Sequence, residues 1–243
     1  VRTGDVLSVD ISDRRENGAS PWGLPLDIVW EDAYLAVMEK PAGVSVYGEG
    51  RPNIAGILAD KWGKDIGFHP VNRLDVGTTG LMIAAKDGYT HDRLRRLLHT
   101  ELFRREYLAA VQGVVIPRDG AVTLPISRAS VNGRRLTDPD GLPSRTDYET
   151  LKSSSGRTLL RLRLHTGRTH QIRVHMAALG HPLVGDATYG ASDLALARPA
   201  LHSHHVRLVH PITEELLDIV SPLPKDVSSL FGGDYSGVRP SQR

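Results

Sequence analysis

The chain has 243 residues, a formal charge of +2, 40% hydrophobic and 24% charged residues, the make-up of one globular domain with room for a small appendage. It contains no cysteine, which excludes disulfide scaffolds, thiolate nucleophiles, iron–sulfur clusters and cysteine-ligated zinc. No apolar run approaches the roughly 18–20 residues of a membrane helix, and the opening VRTGDVLSVD lacks the regions of a signal peptide, so a cytoplasmic protein is expected.

In chain order, residues 6–11 alternate as a short strand, and residues 13–25 form a polar, Gly- and Pro-bearing connector. Residues 35–39 (LAVME) predict a buried strand ending at Pro41-Ala42-Gly43. Asn53 is placed to cap a short helix reaching Trp62, with Ile54, Ile57 and Leu58 on one face. Residues 81–86 (LMIAAK) predict a second apolar strand. A helix is expected over 89–102, with an apolar stripe of Leu94, Leu97, Leu98 and Leu102 and with Arg93 and Arg96 on a second face. Strand alternation returns at 105–111 and 158–164, on either side of a Gly/Pro/Asp/Arg loop at 128–144. Residues 170–179 carry Ile172, Met176 and Leu179 at helical spacing, stopped by Gly180 with Pro182 beyond. A last strand is expected at 201–209, and 228–243 have the composition of a tail. Strands outnumber helices without regular alternation, which predicts an α+β fold on a largely antiparallel mixed sheet with short flanking helices.

The net charge hides an asymmetry. Residues 93–173 hold fifteen arginines and one lysine against seven acids, a balance of +9, while the rest of the chain balances to −7. Arginine supplies twenty-four of the thirty cations, and its planar fork suits phosphate better than a lysine point charge does. Such a stretch in a near-neutral chain fits a polyanionic partner, although a GC-rich coding sequence produces the same composition.

The common nucleotide and hydrolase signatures are missing: there is no G-x-x-x-x-G-K-[ST], no G-x-S-x-G and no H-E-x-x-H. His202, His204 and His205 invite a metal reading, but on a strand only His202 and His204 share a side, and no carboxylate completes the set. Packing or surface histidines are the expected role, with no metal. Two segments are richer in polar groups than structure demands. In Pro70–Gly80 (PVNRLDVGTTG), Arg73 and Asp75 project to one side of an extended chain. A carboxylate beside a guanidinium stays ionised, which suits a nucleophile and not a general acid; a loop salt bridge is the plainer alternative. In Thr166–Gly190, Arg168, His170, Gln171, Arg173 and His175 crowd the start of a short helix, a ready anion site or else a solvated helix face.

Together these segments resemble the RluA-type RNA pseudouridine synthase family, from about Leu24 to Pro224. LDIVWEDAYLAVMEKPAGV is similar to the family's opening strand pair and Lys-Pro-x-Gly turn, VNRLDVGTTGLMIAAK to its catalytic motif, and FRREYLAAVQG to its basic-x-Tyr motif. HTGRTHQIRVHMAALGHPLVGDATYG is similar to its longest signature, and RPALHSHHVRLVHP to the strand that follows. The resemblance implies the pseudouridine synthase fold, with Asp75 as the catalytic aspartate, Tyr107 packing on the target base with a part in proton transfer, and Arg173 paired with the catalytic carboxylate. It implies RNA-binding roles for Arg73, which helps hold a flipped-out nucleotide, and for Thr79, Arg105, Arg168, His170 and Gln171. Thr79 stands for the usual serine and Arg105 for the common lysine, each keeping the chemistry. Asn72 stands for the usual histidine and bears on substrate choice.

The implied reaction isomerises specific uridines of structured ribosomal or transfer RNA to pseudouridine. It breaks the base–sugar bond, turns the uracil and rejoins it through carbon 5. The uridine must leave its stack to be reached, and Asp75 acts at the anomeric carbon or at the ribose carbon-2 proton. No redox change or group donor is needed, so no cofactor is implied. RNA is the expected partner of a monomer, with no membrane. The implied domains are a remnant of an N-terminal RNA-binding domain at 1–12, a linker at 13–24, a catalytic domain at 25–227 and a flexible tail at 228–243. The alternatives are a catalytically silent RNA-binding relative and a glycoside hydrolase pairing Asp75 with a second carboxylate such as Asp186, one of them kept protonated.

Overall fold

The computed structural model describes residues 24–48, 51–63, 66–193, 195–233, 235 and 238–241. The expected strand at 6–11, the domain remnant at 1–12 and the connector up to residue 23 lie outside the described residues.

Strands β1 (Asp27–Glu31) and β2 (Leu35–Lys40) form a hairpin, and helix α1 (Ile54–Trp62) follows. Next come β3 (His69–Pro70), β4 (Thr79–Ala85), helix α2 (Gly88–Leu97), β5 (Phe103–Gln112), β6 (Asp119–Val122), β7 (Thr146–Ser154) and β8 (Arg157–Leu164). Helix α3 (Gln171–Ala178), β9 (Leu201–Val209), β10 (Leu216–Val220) and the short helix α4 (Lys225–Ser228) complete the described elements. The sheet runs β1-β2-β4-β9-β5-β8-β7-β6, with β10 on β9 and β3 on β4. Every pairing is antiparallel except β4 with β9, where Thr79 and Gly80 lie beside His202 and Ser203. This is the expected α+β architecture.

The continuous apolar runs are strands buried on both faces. Ala36, Met38, Met82 and Ala84 join Ile54 and Leu58 of α1 and Ile172 and Met176 of α3 in one cluster. The alternate residues Leu35, Val37, Leu81 and Ile83 pack with Leu94 of α2 in another. Each such aliphatic side chain contributes roughly 1.5–3 kcal/mol on burial. Asn53 caps α1 as expected, its Oδ1 accepting from the Gly56 amide at 2.9 Å.

Two expectations are corrected. Helix α2 ends at Leu97, not Leu102, because the Thr100 amide and hydroxyl both donate to the Leu97 carbonyl and fold the chain into a turn. Leu102 therefore leaves the apolar stripe and is half exposed. The expected tail instead begins with packed structure: Val227 and Phe231 are buried, with Tyr235 and Val238 against their cluster, and the Ser241 amide donates to Glu106 at 3.0 Å. Polar composition concealed these few apolar anchors. Among the described residues, no helix is long and apolar enough to cross a membrane.

Candidate active site

Asp75 lies in the turn between β3 and β4. The turn is held from outside, its Val76 carbonyl accepting from the Gly43 amide at 2.8 Å and from Lys40 Nζ at 3.2 Å. Lys40 is almost fully buried and also donates to the Pro41 and Val44 carbonyls at 2.7 and 2.8 Å. It thereby ties the Lys-Pro-x-Gly turn to the Asp75 turn. Burial brings its pKa down to about 8, with Asp75 opposing and Arg198 assisting. Asn72, the departure from the usual histidine, is a buried clamp on β4: its Oδ1 accepts from the Ile83 amide at 2.8 Å and its Nδ2 donates to the Leu81 carbonyl at 3.4 Å. Gly80 is required where β4 meets β9, since its φ is +104° and a Cβ would collide with the Ser203 backbone.

Arg173 projects from the first turn of α3 and connects two carboxylates. Its Nε and Nη2 donate to Asp186 at 2.7 and 2.8 Å, a bidentate pair. Its Nη1 donates to Asp75 Oδ2 at 3.2 Å. The guanidinium also lies 4.9 Å from the centre of the Tyr189 ring. Burial disfavours the Arg173 charge, but Asp186 and Asp75 outweigh it and hold the pKa above the ordinary arginine value. Asp75 Oδ1 has no hydrogen bond among the described residues, and the side chain keeps 25% of its surface exposed. The resemblance gave Arg173 one carboxylate partner; the geometry gives its fork to Asp186 and a single bond to Asp75.

Tyr107, on β5, is buried near Asn72 and Ser203. Burial above all raises its pKa, against the pull of Arg105, so the phenol keeps its proton at neutral pH. His170 reaches within 3.9 Å of Asp75 Oδ2 through Nε2. Burial lowers its pKa, with Asp75 opposing and Arg173 assisting. An open cleft of about 340 Å³ is lined by Asp75, Tyr107, Arg173, Arg73, Arg168 and His170, together with the apolar Leu74, Leu164, Ile172 and Leu201.

Three residues expected to contact RNA are placed differently. Thr79 bonds His202 Nδ1 through its hydroxyl at 2.9 Å. Arg105 is 3% exposed, beneath Gly167, too buried to meet a phosphate at the surface. Gln171 touches the cleft, but its Oε1 accepts from the Thr166 hydroxyl and the Arg168 amide while its Nε2 donates to Arg145 O and Thr146 Oγ1. It braces the loop that carries Arg168. Sequence alone does not display burial or these partners: Arg105 is enclosed, and the polar ends of Thr79 and Gln171 are already engaged within the protein. The histidines of β9 likewise serve packing: His202 Nε2 meets the Ser221 hydroxyl at 2.9 Å and His204 Nδ1 the Ser221 carbonyl at 2.5 Å.

Asp186 and Lys40 are the site residues that sequence reasoning missed. The hydrolase alternative pairs Asp186 with Asp75, one of the two kept protonated, yet both Asp186 oxygens accept from Arg173. Lys40 stands in the Lys-Pro-x-Gly turn, but its burial has no local signal in the sequence. The basic segment is also partly neutralised by acids: Arg104 and Arg163 meet Glu101, Arg161 meets Glu149 and Arg157 meets Asp193. Exposed arginines lie at Arg73 on the cleft, at Arg128 and Arg134 on the 128–144 loop, and also at Arg93, Arg95 and Arg96 on α2 and at Arg118 and Arg145.

A carboxylate held by a buried guanidinium, a phenol beside it and arginines at the mouth define an enzyme site facing a polyanion. The profile described as RNA pseudouridylate synthase matches residues 34–178. An uncharacterized RNA pseudouridine synthase of Bacillus subtilis, YhcT, is 35% identical over 95% of this chain and 79% of its own length. Ribosomal large subunit pseudouridine synthase D of Nitrosomonas europaea is 38% identical over 86% of this chain and 65% of its own. The solved structure of human RNA pseudouridylate synthase domain containing 4 superposes with a TM-score of 0.68 at 26% identity, covering 83% of this chain and 90% of that one. The chain belongs to the RNA pseudouridylate synthase family. It is an RNA-modifying isomerase that converts uridine to pseudouridine.

Proposed function

We propose that the target uridine lies in large-subunit ribosomal RNA and that Asp75 performs the chemistry on a nucleotide extruded into the cleft. The name of the Nitrosomonas relative supports the ribosomal target, and transfer RNA is the second outcome for a test to separate. The observation that carries the catalytic reading is the asymmetry of Asp75: Oδ2 is held by Arg173, while Oδ1 has no partner among the described residues. A carboxylate so oriented can present one oxygen to the anomeric carbon, or to the carbon-2 proton, as the N1–C1′ bond breaks. The released uracil must stay in place while it turns. Tyr107 and the apolar Leu164, Ile172 and Leu201 line the space in which it would do so. Closing the new C5–C1′ bond frees the proton of carbon 5 to the protein or water, and N1, which has lost its bond to C1′, gains a proton in turn, so that the isomerisation releases none overall. Arg73 and Arg168 at the cleft would position the phosphates on either side, offsetting the few kcal/mol of unstacking. We take the protein to act as a monomer, and a ribosomal RNA substrate would be met in the cytoplasm.

Asp75→Asn keeps shape and removes the charge. Tritium release from carbon-5-labelled uridine in ribosomal RNA should fall by at least about a hundredfold, with RNA binding retained. Turnover above a few per cent of wild type would overturn the role of Asp75. Pseudouridine mapping in RNA from a deletion strain decides the target: loss at a ribosomal position supports the reading, and loss only in transfer RNA replaces it.

A further inference from the structure

Tyr189 belongs to none of the roles assigned so far, yet it makes three contacts around the Asp75–Arg173 pair. Its ring lies against the Arg173 guanidinium. Its hydroxyl accepts from the Arg135 backbone amide at 2.9 Å and sits 2.9 Å from His170 Nδ1. His170 itself is unusual: it holds a left-handed φ of 58° as the residue before α3, and its side chain makes no capping bond. Non-glycine residues adopt that conformation where surrounding structure over-determines them, often at functional sites. Here the conformation delivers the ring between Tyr189 and Asp75.

We propose that Tyr189 is a positioning residue whose hydroxyl fixes His170 in the tautomer with Nε2–H turned toward Asp75, and that this links the 128–144 loop to the catalytic carboxylate. The proposal rests on the catalytic reading of Asp75 given above. A phenol has one proton to donate. With its oxygen already accepting from the Arg135 amide, that proton is available to Nδ1 of His170. A neutral imidazole that accepts at Nδ1 carries its own proton on Nε2, the nitrogen 3.9 Å from Asp75 Oδ2. Arg173 donates to the same oxygen. Arg173 bonds Oδ2 and the Nε2–H of His170 stands on the same side, beyond hydrogen-bond distance, so that Oδ1 is left for the reacting centre. Burial keeps His170 neutral, as this role requires. Because Arg135 lies on the arginine-bearing 128–144 loop, RNA docking on that loop and orientation of His170 share one hydroxyl group.

The test is long-range nitrogen-15 correlation NMR of the full chain with labelled histidine, His170 being assigned by the loss of its signals in His170→Gln. In wild type, Nε2 should be protonated and Nδ1 bare, and Tyr189→Phe should mix the two tautomers. Protonation at Nδ1 in wild type, or an unchanged pattern in Tyr189→Phe, would overturn the proposal. Kinetics give a second readout. Loss of one hydrogen bond predicts a single-turnover rate about three- to tenfold lower in Tyr189→Phe, with RNA affinity unchanged. No further loss is expected when the substitution is added to His170→Gln; rates that multiply in the double variant would show that Tyr189 acts by another route. Activity surviving in Asp75→Asn would sink the catalytic reading yet leave the tautomer result intact, so the two failures are distinguishable.

Discussion

Two of the buried polar regions among the described residues treat charge in opposite ways. Around α3, Arg173 stays cationic because two carboxylates surround it. On β9, His202 and His204 are buried with only hydroxyl and carbonyl hydrogen-bond partners, and burial pushes both pKa values down, that of His202 to about 4. The difference shows that depth alone does not set the charge state here. Counter-charge does, since burial disfavours ionisation in both places and is outweighed only where an acid lies within bonding distance. The charged region faces the cleft; the neutral one supports it through Thr79.

The largest expected effect beyond Asp75→Asn comes from breaking the charged region. Asp186→Asn removes the bidentate partner and leaves a buried guanidinium with one bond to Asp75. Disrupting a buried pair typically costs about 3 kcal/mol, which for a domain of this size lowers the melting temperature by about 10 °C. Arg173 would also be released to close fully on Asp75, so single-turnover activity should fall along with stability. A variant with wild-type melting temperature and rate would show that Asp75 alone sustains the Arg173 charge.

The neutral region predicts an acid effect of similar sign but with a defined pH window. His202 has a folded pKa of about 4 against an ordinary value of 6.5. The unfolded chain therefore binds a proton that the folded one resists between those values. The stability is present in full above pH 6.5 and is lost as pH falls toward 4, by about 3 kcal/mol at most. His202→Gln should remove that slope, measured as the difference between the two proteins in urea unfolding from pH 7 to 4. The subtraction matters because His205, held between Glu106 and Asp218, has a raised pKa and gives the opposite dependence. Parallel curves for the two proteins would mean that His202 is protonated at little cost and the contrast with α3 fails.

The same contrast separates what the sequence revealed from what it hid. Periodicity located β2, α1, β9 and α3 within a residue or two, because each has apolar residues at a regular spacing and a local stop such as Gly180 or cap such as Asn53. It overran α2, whose end depends on the Thr100 hydroxyl and not on the leucine stripe. Asp75 and Arg173 lie 98 residues apart, so only the family resemblance joined them before the fold did. Asp186, Lys40 and Tyr189 stayed hidden because their roles arise from burial and from partners distant in sequence. Arg105 and Gln171 were placed at the RNA surface for the same reason: a charged or amide side chain looks alike in sequence whether it faces solvent or the inside of a loop.

The smallest effect concerns the exposed arginines, and it asks whether the +9 segment acts on RNA as its composition suggests. Pairing with Glu101, Glu149 and Asp193 takes Arg104, Arg163, Arg161 and Arg157 out of the count. Of the segment, Arg93, Arg95, Arg118, Arg128 and Arg134 stay exposed and Arg135 and Arg168 are half-buried, and outside it Arg73 adds an exposed arginine on the cleft. If these residues neutralise about four or five phosphates, affinity for single-stranded target RNA should fall with salt at a log–log slope of about −3. Replacing Arg128 and Arg134 by Gln should reduce that slope by about 1.4, at about 0.7 per lost contact. Stability should stay within about 0.5 kcal/mol, as it does for most surface changes. Arg135 is left intact because its backbone amide bonds Tyr189. Arg161→Gln, at an arginine paired with Glu149 across the β7–β8 ladder, should leave the slope unchanged. Equal slopes for wild type and the Arg128/Arg134 variant would show that the loop does not meet phosphate, and that the charge asymmetry serves internal pairing alone.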